Sequence, residues 1–167
     1  MKRVQFLLVI LIALAPGALQ TVRAQAVPTS QEFAERAAAA SQFAIAASDH
    51  LLKRSTDRRV RKFAEQLIDD YETGKAYIFE AAAAAKLSLP DRLDADLQSR
   101  LDRLANASSN EIDLLFMTEM SRMHGDAIPL FTAYARGGDN RSLKFLAGRA
   151  LPTLREHYSS VQQLASR

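Results

Sequence analysis

The chain has 167 residues, 48% hydrophobic and 25% charged, with a formal net charge of +3 and no cysteine. The missing cysteine excludes disulfides, thiolate catalysis, thiolate-bound metal and a lipid-modified N-terminal cysteine. The whole excess of positive charge sits in Lys2, Arg3 and Arg23, so residues 27–167 carry 19 basic against 19 acidic groups and lack the basic footprint that nucleic acid requires.

Lys2 and Arg3 precede an apolar run from Val4 to Ala15, interrupted only by Gln5. Pro16 and Gly17 break the run, and Ala24-Gln25-Ala26 supplies the small-x-small pattern that signal peptidase reads. The run is shorter than the roughly 20 residues of a membrane-spanning helix. The order predicts a signal peptide over 1–26, cleaved near Ala26, and one domain over 27–167 that is periplasmic or secreted, with no transmembrane segment.

The rest of the chain reads as helix with short breaks and no strand-like alternation. Thr29 or Ser30 caps a first helix that reaches about Arg54, with Phe33, Ala37, Ala40, Ala44, Ala47 and Leu51 inward. Ser55, Thr56 and Asp57 offer the next cap. The second helix turns Val60, Phe63, Ala64, Leu67, Tyr71, Ile78 and Ala82 inward and ends near Lys86. After Leu87-Ser88-Leu89-Pro90, Asp91 to Leu104 predicts a short, charged connecting helix. Asn106 to Ser109 starts a third long helix, with Ile112, Leu115, Phe116, Met123, Leu130 and Tyr134 inward, and Gly137-Gly138 stops it. The fourth runs from about Asp139 to Ala165, with Leu143, Leu146, Ala147, Leu154, Val161 and Leu164 inward. Pro152 should kink it or break a turn. Two antiparallel pairs joined by a long connection predict an all-α four-helix bundle with a short extra helix in the crossover.

Several of these segments resemble an exported bacterial family known as domain of unknown function 4142. Val60-Arg61-Lys62-Phe63-Ala64 with Asp70, Leu89-Pro90, Ile112-Asp113 with His124, and Leu143-Lys144-Phe145-Leu146-Ala147 through Leu151-Pro152-Thr153-Leu154-Arg155-Glu156-His157 match its signatures, together spanning the mature chain. The resemblance implies a ferritin-like helical bundle and loosely suggests envelope stress tolerance. The chain departs from the pattern at two places. Asp70-Tyr71 stands where the family shows Asp-His, and Ala46 stands where it usually carries a glutamate. No Glu-x-x-His pair of the kind that builds ferritin-like metal centres occurs in the chain.

Helical spacing places Tyr71, Glu119 and His157 on inward faces. One reading is a hydrogen-bonded cluster of Tyr71, Glu119 and His157 that fixes helix register. The other is a residual transition-metal or acid–base site built from Glu119 and His157, with His124 added in a metal-binding or redox protein. His124 falls at the edge of its helical face, near Asp113, and is expected to be partly exposed; His50 falls on a flank. Lys53, Arg54, Arg58, Arg59, Arg61 and Lys62 form a basic cluster around the first turn, where Arg58, Arg59 and Arg61 are candidates for contact with an anionic envelope surface or a protein partner. Phosphate loops, nucleophile elbows and HExxH are missing from the sequence. The function expected is therefore a non-enzymatic binding or structural role in the envelope without a cofactor, the alternative being a metal-binding protein with a degenerate site.

Overall fold

The computed structural model describes residues 26–166, and the expected signal peptide lies outside them except for Ala26. Five helices follow in order: α1 (Ser30–Leu52), α2 (Arg58–Ala84), α3 (Ala95–Asn106), α4 (Ile112–Gly137) and α5 (Arg141–Ala165). Local chemistry sets most of their ends. Thr29 and Glu32 form a capping box on α1, each side chain meeting the other's backbone N–H, which satisfies two orphan donors reciprocally. Asp57, Asp94 and Asn140 cap α2, α3 and α5 through their side-chain oxygens. At the end of α2 the amides of Lys86 and Leu87 return to the carbonyls of Ala83 and Ala82. That closure places Lys86 in the left-handed region at φ 56°, a position usually given to glycine.

α1 packs against α2 and α4, and α5 packs against α2 and α4, so four long helices form a closed square while α3 lies across α1 and α4. Phe33, near the start of α1, stacks on Tyr134 near the end of α4 at 4.1 Å between ring centres. The two helices are therefore antiparallel. The crossover through α3 carries the chain back to the end of the bundle where α1 turns into α2. Each long helix thus runs antiparallel to both of its neighbours, the arrangement that a four-helix bundle with one long connection produces.

The core follows the expected apolar stripes. Phe33, Ala37, Ala44, Ala47 and Leu51 are buried from α1, and Val60, Phe63, Ala64, Leu67 and Ile78 from α2. α4 supplies Ile112, Phe116, Met120 and Tyr134, and α5 supplies Leu143, Ala147 and Val161. The alanines of α1 let its neighbours approach closely, because a methyl group fills little of the space between helix axes. Gly138 is required where the chain leaves α4: an added Cβ would lie 2.6 Å from the Tyr134 carbonyl oxygen.

Three expectations about the elements are corrected. α5 runs through Pro152 without a broken turn, so that half of the expectation does not hold. Pro152 and Gly148 both face solvent, so water can satisfy the carbonyl that proline leaves without a donor. α4 tolerates Pro129 on its exposed side in the same way. α3 begins at Ala95 rather than Asp91, because Asp94 is the residue whose carboxylate reaches the Leu97 amide. α4 begins at Ile112, after a turn in which Ser108 binds the Glu111 carboxylate through both its hydroxyl and its amide.

The turn between α1 and α2 is closed by Arg61, whose guanidinium donates to the Leu52 carbonyl at 2.6 Å and the Ser55 carbonyl at 3.0 Å. A cation on the last carbonyls of a helix also complements the helix dipole. Arg61→Ala is expected to lower unfolding free energy by about 1–2 kcal/mol, with unchanged helicity, as measured by urea denaturation. A loss below a few tenths would mean that water replaces the side chain without cost.

Candidate functional site

Three polar residues meet inside the bundle, Tyr71 from α2, His124 from α4 and His157 from α5, and the exposed Asp70 of α2 closes the group at the surface. His124 is fully buried and His157 is 2% exposed. The expectation of a partly exposed His124 is thus corrected: the α5 side of α4 is packed, which carries the core past the edge of its apolar stripe. The His124 Nδ1 lies 2.7 Å from the Met120 carbonyl oxygen. A carbonyl only accepts, so Nδ1 carries the proton, and in the neutral ring Nε2 is left as an acceptor. Tyr71 fills that role, its hydroxyl donating to Nε2 at 3.0 Å. Both ring nitrogens of His124 are engaged.

The electrostatics agree with this assignment. Burial first, then the nearby His157, lowers the His124 pKa to about 4. Burial, with the charge of Asp70 second, pushes the Tyr71 hydroxyl well above its usual value. Both groups are therefore neutral at physiological pH. His157 takes a different partner. Its Nε2–H donates to Asp70 Oδ2 at 2.9 Å, and that carboxylate is 41% exposed. His157 Nδ1 is buried without a hydrogen-bond partner. The His157 ring meets the His124 ring edge to face at 5.4 Å and the Tyr71 ring at 5.8 Å.

Glu119 is buried but does not join this group. Its Oε2 accepts from Arg100 Nε of α3 at 2.7 Å, and its Oε1 lies 3.4 Å from an Arg103 nitrogen. Arg100 is itself 5% exposed and lies over the Phe43 ring at 4.8 Å. The expected Tyr71–Glu119–His157 cluster is therefore divided: Tyr71 binds His124, His157 binds Asp70, and Glu119 binds α3. The alternative set of Glu119, His124 and His157 is divided by the same geometry. As placed, these residues do not fit a transition metal. Glu119 is neutralised by Arg100, and His124 has no free nitrogen. Among the described residues no three His, Asp or Glu side chains converge as a possible metal-binding group.

Arg58 is exposed. Arg59 forms an ion pair with Asp57 at 3.0 Å, and that hydrogen bond holds the Asp57 carboxyl down at about 2. Arg61 is committed to the turn it closes. His50 is half-buried at the end of α1, where burial first and then Lys53 and Arg54 lower its pKa.

Two open surface troughs of about 510 and 580 Å³ lie along α4, one lined by Met117, Gly125 and Tyr158 and the other by Arg103, Ala107 and Leu115. Neither is lined by Tyr71, Glu119, His124 or His157. Sequence reading missed Arg100 and Asp70 as partners. Arg100 carried one usable signal, since it lies beside Leu97, Leu101 and Leu104 on the apolar side of α3. Asp70 was marked only by the family signature that contains it, since the neighbouring Asp69 and Glu72 are chemically alike.

A family model described as "Domain of unknown function (DUF4142)" matches residues 15–164. The crystal structure of a DUF305 fragment from Deinococcus radiodurans superposes with a TM-score of 0.73 at 16% identity, covering 85% of this chain and 98% of that one. A DUF305 protein from Streptomyces coelicolor, described as secreted, gives 0.69 at 13% identity, covering 83% and 92%. At these identities the likeness is one of fold. No curated protein matches the chain.

Proposed function

The chain belongs to the DUF4142 family, and on that premise we propose that it is an exported, non-enzymatic protein of the bacterial cell envelope, with a binding or structural role in stress tolerance. The observation that carries this reading is how the buried polar groups are used. His124, Tyr71, Glu119 and Arg100 are buried and tie helices to one another, and none of them lines either trough along α4. A reaction centre needs a nucleophile, base or ligand set that a substrate can reach. Export is supported by the charged, apolar and small-residue order of residues 1–26, by a structural neighbour described as secreted, and by the fact that no helix among the described residues is long and apolar enough to cross a membrane.

Recovery of the protein from fractionated cells tests both parts. Material in the exported fraction should have the intact mass of a chain cleaved near Ala26 and should contain no stoichiometric transition metal. A strain lacking the protein should survive detergent stress less well, and Tyr71→Phe should restore survival as fully as the wild type. Uncleaved protein on the membrane would overturn the export reading. Stoichiometric metal, or failure of a fully folded Tyr71→Phe protein to restore survival, would overturn the non-enzymatic one.

A further inference from the structure

We propose that the α1–α2 turn is a docking face for anionic phospholipid headgroups, presented by Lys53, Arg54, Arg58 and Lys62. The inference rests on the envelope reading and names the surface that the bundle would meet there. Residues 53–62 contain six basic groups and one acid, a formal charge of +5, while residues 27–167 as a whole sum to zero. The rest of the domain therefore carries −5, so this turn is a local concentration of positive charge.

The structure sorts these charges. Arg59 is held by Asp57, and Arg61 is turned inward onto the carbonyls of Leu52 and Ser55. Lys53, Arg58 and Lys62 are exposed and Arg54 is half-exposed. Among the described residues none of these four forms an ion pair. Arg58 and Lys62 stand one turn apart and share a face of α2. Asp57 caps α2 and is paired with Arg59, but the first turn itself contains no acidic residue, so Arg58 has no acid of its own and adds to the positive end of the helix dipole. An external anion relieves that repulsion.

The character of the face selects the partner. A protein interface is anchored by buried aromatic or aliphatic side chains in a pocket. The large exposed hydrophobic residues are Val27, Tyr77, Phe79, Leu114 and Phe145, none of them in this turn, and both troughs lie along α4. Long cationic side chains without an apolar anchor suit a dense, flat layer of phosphates, which needs charge and no shape.

The test uses the processed protein as the cell exports it, with vesicles of phosphatidylglycerol and phosphatidylcholine or of phosphatidylcholine alone. Binding is expected to the anionic vesicles at 50 mM salt and to be lost at 500 mM, because exposed charges are screened. Inorganic phosphate at 10 mM should not displace the protein, which distinguishes a headgroup layer from a single anion site. The variant Lys53→Glu/Arg58→Glu/Lys62→Glu should bind the anionic vesicles roughly a hundredfold more weakly, at several-fold per charge, with an unchanged melting temperature. The double variant Asp57→Asn/Arg59→Gln removes a neutral pair and keeps a capping side chain, so its binding should stay within about twofold. Equal binding by the wild type and the triple variant would overturn the proposal, and so would equal binding to both vesicle types. Wild-type protein that ignores anionic vesicles but is retained by polyglutamate would overturn it in favour of an acidic protein partner. Export and cleavage are read from fractionation and mass, so either proposal can fail without the other.

Discussion

Arg100→Ala is expected to lower the unfolding free energy by about 3–5 kcal/mol, because removing one member of a buried ion pair leaves the other charge without compensation in a poorly solvating site. For a domain of this size the melting temperature should fall by on the order of 10 °C. The stranded group would be Glu119, 4% exposed, left with only Arg103 at 3.4 Å, whose side chain is 55% exposed. Loss of packing against Phe43 adds to the effect, since Arg100 lies over that ring. The pair itself need not be strongly stabilising. Burial removes water from both ions, and the Arg100 Nη2 group has no hydrogen-bond partner. The double replacement Arg100→Met/Glu119→Leu is therefore expected to regain most of the loss and to melt near the wild type. Thermal melts of Arg100→Met, Glu119→Leu and the double variant against the wild type, read as a cycle, check this. A single-variant loss below about 1 kcal/mol would show that water reaches Glu119.

The second large effect is a loss of stability in mild acid that passes through His124. Its pKa in the folded protein is lowered to about 4, whereas an unfolded histidine titrates near 6.5. The unfolded chain therefore binds the proton more readily. Stability should be independent of this group above about pH 6.5, fall as the pH drops from there toward about 4, and level off below, by about 3 kcal/mol in all. The groups facing the ring are Tyr71 from α2, a neutral donor, and His157 from α5, behind which stands Asp70. Protonation of His124 would place hydrogens on both nitrogens, so Tyr71 would have to turn from donor to acceptor at Nε2. His124→Gln, which cannot titrate, should flatten the dependence of unfolding free energy on pH across this window. Asp57, held at about 2, loses its contribution only at lower pH, which keeps the two effects apart. An unchanged acid slope in His124→Gln would transfer the effect to another group.

Most of the architecture was legible because it depends on apolar period. The inward stripes of α1, α2, α4 and α5 were read within one or two positions, with Ala40, Leu115, Leu146 and Leu164 half-buried instead of buried. Glu119 and His157 were placed inside for the same reason. Their partners were not legible, because a helical wheel gives the direction of a side chain and not what stands opposite. Glu119 was matched with the wrong helices since α3 looked like a solvated connection. Its charged residues lie on one side, while Arg100 is carried inward among Leu97, Leu101 and Leu104. Arg61 misled in the opposite sense. It belongs to a basic run by sequence, but its long side chain folds back to hold the preceding helix.

The pairing of α1 with α2 and of α4 with α5 has a consequence for how the molecule is made. Each pair joins segments adjacent in sequence, whereas α1 meets α4 only after the crossover is complete. A chain made from its N-terminus delivers the first hairpin well before the second. During that interval the surfaces of Phe33 and Phe43 that later meet α4 and α3 have nothing to cover them, and such half-made species are the ones that aggregate or recruit chaperones. The alanine-rich seam of α1 limits this exposure, because it offers little greasy area until its partners arrive. Assembly should then proceed as the docking of two preformed hairpins, with α3 delivering Arg100 to Glu119 as the last latch.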